Sequence, residues 1–168
     1  MTLRDATEAD LPAIVEIYNA TVPGRLVTAD TEPVSVASRL PWFHAHNPHT
    51  RPLWVLADSA ANGVVCAWLS FNSFYGRPAY SHTAEISIYV AESHRRSGLG
   101  RRLLLDAIAR APACDVHTLL GFIFGHNEPS LRLFESHGFA RWAHLPRVAE
   151  LDGVDRDLII VGRRVDAG

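Results

Sequence analysis

Arg95-Arg96-Ser97-Gly98-Leu99-Gly100-Arg101 gathers two glycines and three arginines between the apolar run Ile86-Ser87-Ile88-Tyr89-Val90 and an amphipathic stretch from Leu99 to Ala111. Strand, glycine turn and helix in that order suit an anion, and a diphosphate best. Glycines without a Cβ let backbone N–H groups come close to phosphate oxygens. The opening turn of the helix adds unpaired donors and the positive end of its dipole, and the arginines add charge-assisted donors. The spacing matches neither G-x-x-x-x-G-K-[ST] nor G-x-G-x-x-G.

Glu85 is the second chemical candidate, a lone carboxylate at the start of an otherwise apolar strand. Such a group is costly to bury unless it has partners or a task, and half-buried it can accept a proton directly or through one water. Just upstream, Arg77 could grip a carboxylate or phosphinate with two parallel hydrogen bonds, while Tyr80, Phe74 and Tyr75 could wall a small pocket. The plainer alternatives are a solvated strand end for Glu85, an exposed loop position for Arg77 and ordinary packing for the aromatics. His44, His46 and His49 fall on different helical faces around Pro48, which argues against a metal site. Cys66 and Cys114 have no C-x-x-C spacing, so neither a disulfide framework nor zinc is expected.

These residues need a scaffold, and the hydrophobic pattern supplies one. Leu3 to Ala6 reads as a first strand, with Leu11, Ile14, Val15 and Tyr18 on one helical face behind it. A second helix is expected from Glu32-Pro33 through Phe43, with Thr21 to Thr31 as a loop over the substrate site. Leu53–Ala57 and Val64–Phe71 should form a hairpin around Asn62-Gly63, followed by a central strand from Thr83 to Val90. A helix from Gly98 that ends before Pro112, a strand Val116–Phe124, a helix Asn127–His137 closed by Gly138, and a hairpin of Arg141–Leu151 with Asp157–Val165 complete the order. Hairpin-paired strands followed by strands joined through helices predict an α/β fold of mixed α+β type, with helices on both faces of the sheet.

The 168 residues suit one domain spanning 1–168, and 48% hydrophobic with 20% charged residues exclude general disorder. A formal net charge of −2 offers no overall attraction to nucleic acid or to an anionic membrane. The acidic start of the chain has no apolar signal segment and no run is long enough to span a membrane, so a cytoplasmic location is expected.

Arg95-x-x-Gly98-x-Gly100, together with Glu85 to Val90 before it and Asn127 to Phe139 after it, resembles the acetyl-CoA signature region of the GCN5-related N-acetyltransferase (GNAT) superfamily. Arg77 to Glu85, Thr31-Glu32-Pro33 and Trp42-Phe43 further resemble the phosphinothricin acetyltransferases and the enzymes that acetylate methionine sulfone or sulfoximine, so the likeness covers nearly the whole chain. The resemblance implies a mixed, mostly antiparallel sheet with a splayed central strand pair and acetyl-CoA as cosubstrate. The cofactor would be held by Ile88, Tyr89, Val90, Arg95, Arg96, Ser97, Gly98, Leu99, Gly100, Arg101, Asn127 and Ser136. It implies Glu85 as general base, Phe74, Arg77 and Tyr80 around a small amine acceptor, no metal, and a homodimer. Phe134 stands where relatives carry a tyrosine or histidine that could protonate the leaving thiolate, so no general acid is assigned. The rival expectations are a non-catalytic acyl-CoA-binding module, and an acetyltransferase for a protein N-terminus or an aminoglycoside.

Overall fold

The computed structural model describes residues 1–166. Its strands are β1 (Thr2–Asp5), β2 (Leu53–Asp58), β3 (Val64–Ser73), β4 (Thr83–Val90), β5 (Thr118–Phe124), β6 (Ala140–Leu151) and β7 (Val154–Arg164). They form one sheet in the order β1-β2-β3-β4-β5-β7-β6. Every neighbouring pair is antiparallel except β4 and β5, which run parallel. The mixed, mostly antiparallel sheet expected from the sequence is therefore present.

Four helices cover the sheet: α1 (Leu11–Asn19), α2 (Val36–His44), α3 (Leu99–Arg110) and α4 (Glu128–Glu135). Strand alternation assigns them to opposite faces. On β4 the side chains of Ala84, Ile86, Ile88 and Val90 join the core beneath α3 and α4, with Leu103, Leu104 and Leu131 fully buried there. Glu85, Ser87 and Tyr89 take the other face, where Leu11, Ile14 and Val55 build a second core under α1.

β4 and β5 are paired over only three residues, Thr83 with Thr118, Ala84 with Leu119 and Glu85 with Leu120. Beyond Glu85, β4 stays with β3 as far as Val90, while β5 stays with β7 as far as Phe124. The two central strands part, as the resemblance implied. Phe134 of α4 packs against β5 close to where the separation begins: a Cβ at Gly121 would lie 3.1 Å from its ring and 3.0 Å from Val161 Cγ2.

Among the boundaries that differ from expectation, two have clear local reasons. α2 starts at Val36, not at Glu32-Pro33, because the Ser35 hydroxyl accepts from the Ser38 N–H at 3.1 Å and caps the helix there. β7 starts at Val154, not Asp157, because Asp152 (φ 53°) and Gly153 (φ 77°) make a two-residue left-handed turn whose twist lets the strands pair up to it. The tight packing at Gly121 carries a test. Gly121→Ala should destabilise the fold by about 1–3 kcal/mol, the usual cost of overpacking, read as a lower urea midpoint at unchanged slope.

Candidate active site

The glycine turn is built as its sequence suggests. Gly98 has φ +80°, a conformation that side chains rarely adopt, and serves as the N-cap of α3 without any side-chain cap. The first backbone bond of the helix runs from Arg102 N–H to the Gly98 carbonyl at 3.0 Å, which leaves the Leu99, Gly100 and Arg101 N–H groups without helical partners. Arg95, Arg96 and Arg101 form no ion pair with any described carboxylate, in contrast to Arg102, which lies 3.8 Å from Asp106. All three arginines and the turn line a cleft of about 570 Å³ whose other wall is α4 and the segment Ala20 to Val27. Three unpartnered donors at a helix N-terminus beside unpaired arginines fit a diphosphate.

That cleft continues into the gap between β4 and β5. A slot of about 190 Å³ runs past Ile88, Val90, Gly100, Leu133 and Phe134 and ends at Ser87 and Tyr89. The β4 backbone along it has no strand on the β5 side, so groups that a continuous sheet would satisfy remain available to an extended ligand. Asn127 is buried between cleft and slot. Its Oδ1 accepts from Ser130 N–H and its Nδ2 donates to the Leu26 carbonyl, both at 3.3 Å, so it caps α4 and pins the loop over the cleft.

Ser87 and Tyr89 also border a third cavity, of about 160 Å³, on the α1 and α2 side of the sheet. Its walls are aromatic: Trp68 stacks on Tyr89 at 4.6 Å, and Trp42 meets Trp68 edge-on at 5.5 Å. Glu85 stands on the same face of β4 as Ser87, opposite Asn72 of β3, and Asn72 lines this cavity. The Glu85 carboxylate is half-buried and makes no hydrogen bond or ion pair with any described residue. Burial pushes its pKa above the ordinary carboxylate value, which makes it a stronger base than a solvated one.

Residues 11–139 match the acetyltransferase (GNAT) family. The chain belongs to that family. It is an enzyme, an acetyl-CoA-dependent N-acetyltransferase. It is 53% identical to YwnH of Bacillus subtilis (strain 168), named after phosphinothricin acetyltransferase, over 98% of this chain and 99% of that one. It is 35% identical to the L-methionine sulfoximine/L-methionine sulfone acetyltransferase of Salmonella typhimurium (strain LT2), over 99% of this chain and 95% of that one. The structure of yncA from Salmonella typhimurium, solved with its cofactor acetyl-CoA, superposes with a TM-score of 0.91 at 34% identity, covering 100% of this chain and 95% of the other.

For this acetyltransferase the structure gathers most of the residues singled out from sequence, though not all. Ile88, Tyr89, Val90, Arg95, Arg96, Gly98, Leu99, Gly100, Arg101 and Asn127 all line the cleft. Ser97 and Ser136 do not. The Ser97 hydroxyl turns onto the His94 carbonyl, and Ser136 Oγ donates to the Leu133 carbonyl at 2.9 Å from the exposed end of α4. Phe74 packs edge-on against Tyr80 at 5.5 Å beside Phe122, forming a largely exposed aromatic group rather than a closed wall. Arg77 is exposed at the start of a short helical turn and borders none of these cavities.

Tyr18, Arg39, Trp42 and Trp68 were not anticipated as site residues. The spacing of Tyr18, Trp42 and Trp68 signals only burial and Arg39 reads as one charge on a helix, and their convergence depends on how α1 and α2 lie on β3. Nor was the surface group of His82, Asp115 and His117 foreseen, whose ligand atoms lie within 4.8 Å of one another. The two imidazoles stack in parallel at 4.3 Å, so their lone pairs do not converge on one point.

Gly100 tests the cleft. A Cβ there would point between Leu133 and Val90 at 3.7 and 3.9 Å, into the slot. Gly100→Val should weaken acetyl-CoA binding at least tenfold, about 1.4 kcal/mol, in calorimetry, with little loss of thermal stability.

Proposed function

We propose that the enzyme transfers the acetyl group directly to the α-amine of a small amino-acid-like acceptor such as phosphinothricin, methionine sulfone or methionine sulfoximine. Cleft and slot would hold acetyl-CoA, with the Gly98 to Arg101 turn and the three arginines at its phosphates and the open edge of β4 along its pantetheine arm. Bound there, the thioester supplies an activated acetyl group. The chain does the rest. Glu85 would take one proton from the acceptor ammonium; the freed amine would form the C–N bond as the thioester C–S bond breaks, and CoA would leave as a thiolate that picks up the proton shed by the new amide nitrogen. Backbone N–H groups of Ile88 to Val90 facing the slot steady the carbonyl oxygen as it gains charge.

The observation that carries this reading is Glu85 itself: an unpartnered, half-buried carboxylate that lines neither space but shares its face of β4 with Ser87 and Tyr89, which border both the slot and the aromatic cavity. A covalent intermediate on cysteine has no support, since Cys66 and Cys114 are both buried away from the three cavities. An aminoglycoside acceptor is disfavoured because Arg39 is the only charged group lining the aromatic cavity, and it would repel a polycation. The proposal includes a homodimer in the cytoplasm. The sheet's edge strand β6, which exposes Trp142 and Val148, supports the dimer, and no described helix is long and apolar enough to cross a membrane. Light scattering should return the mass of two chains; a single-chain mass removes the dimer from the proposal.

Glu85→Gln keeps the shape but cannot accept the proton. At pH 7 turnover should fall by roughly 10²–10⁴-fold, the span typical of general-base removal, with acetyl-CoA affinity retained. The defect should shrink as pH approaches the pKa of the acceptor amine. Near-normal turnover at pH 7 would exclude Glu85 as the base.

The same substitution has a stability signature of opposite sign. Burial raises the pKa of Glu85 in the folded state, so the folded protein holds this proton more tightly than the unfolded chain. Its contribution is present at low pH and lost as pH rises past the ordinary carboxylate value of about 4.3. Glu85→Gln should therefore melt at a higher temperature than wild type at pH 7, and the advantage should disappear in acid.

A further inference from the structure

Resting on the proposed acceptor class, we propose that Arg39 of α2, not Arg77, reads the acceptor's carboxylate. The guanidinium of Arg39 lies over the Tyr18 ring at 4.9 Å and over the Trp42 ring at 5.6 Å. It sits against two aromatic rings at the wall of the cavity that Ser87 and Tyr89 share with the cofactor slot.

One of its five N–H donors is spent, on Asp30 Oδ2 at a long 3.4 Å, and Asp30 is also engaged by the Tyr18 hydroxyl. Arg39 is the sole charged residue lining the cavity; the polar floor consists of Ser70, Asn72 and Ser87. Aromatic walls, hydroxyl and amide groups below, and one cation with donors to spare make a receptacle for a compact anion-bearing molecule. A polycation or a purely apolar one would fit it poorly.

Arg39 and Glu85 also act on a common neighbour. Burial chiefly, then the charges of Tyr18 and Glu85, pushes the Tyr89 phenol to a high pKa, while Arg39 pulls it the other way. Glu85 also shares its face of β4 with Ser87 and Tyr89, two residues that line the cavity walled by Arg39. An α-amino acid carries an amine and a carboxylate on one carbon, and this pairing lets Glu85 take the first while Arg39 takes the second. Planar, stacked and always charged, arginine matches a carboxylate in two parallel bonds. Arg77 has no place in this cavity.

Methionine sulfone and its carboxamide differ in that carboxylate alone, so turnover of each with acetyl-CoA, in wild type, Arg39→Gln and Arg39→Lys, isolates the contact. Wild type should prefer the acid. Arg39→Gln should lose about 10- to 100-fold in kcat/KM for the acid, the range for a charged hydrogen-bonded pair, while the carboxamide rate and the acetyl-CoA affinity hold. Arg39→Lys should recover part of the loss. A parallel fall for acid and carboxamide would make Arg39 structural and overturn the assignment, as would wild-type selectivity in Arg39→Gln or a selectivity loss found in Arg77→Ala instead. If wild type acetylates neither compound, the amino-acid acceptor falls, and the role of Arg39 falls with it. If wild type takes the acid and Arg39→Gln matches it, only the Arg39 assignment is lost.

Discussion

Hydrogen bonding between β4 and β5 stops after three residue pairs, and the active site follows from that interruption. A continuous ladder would satisfy the β4 backbone and close the sheet into a wall between its two faces. With the ladder ending at Glu85, a slot opens that shares Val90, Gly100 and Leu133 with the cleft at the Gly98 turn and Ser87 and Tyr89 with the aromatic cavity. β4 is what both sides share. Its even residues build the core under α3 and its odd residues Glu85, Ser87 and Tyr89 take the opposite face, so in the proposed arrangement one strand sets the distance between donor and acceptor.

The electrostatics follow the same division. Cations gather around the α3 N-terminus, where an anion gains from dipole, backbone donors and arginine together. On the far side the charges are few and widely placed. Glu85 has no counter-ion, and burial holds its pKa up. A paired carboxylate would stabilise the fold more; in the proposed role of base, Glu85 forgoes that gain for proton affinity.

Much of this was legible in the sequence because it is local. The Gly98 turn, the Gly138 helix stop, the alternation along β4 and the isolated carboxylate at Glu85 each depend on residues within a few positions, and each is present. What failed was the reach of particular side chains. Ser136 could be placed at the end of a helix, but not its bond to the Leu133 carbonyl, which turns it from the cleft. Asn127, expected at the cofactor, does line the cleft and caps α4, but its bond to the Leu26 carbonyl, about a hundred positions earlier in the chain, was not anticipated. Arg39 gave no sign at all. Its meaning comes from α2 packing against α1 and from Trp68 and Tyr89 on two paired strands, a set of long-range contacts that no local spacing encodes.

The central claim is that the open edge of β4 is where acetyl-CoA binds, and backbone hydrogen exchange reports on it directly. With acetyl-CoA added, amides of Ile88 to Val90 that face the slot should gain protection together with those of Leu99 to Arg101, while β2 and β7 change little. Protection confined to the glycine turn, with β4 exchanging as in the free enzyme, would contradict the account.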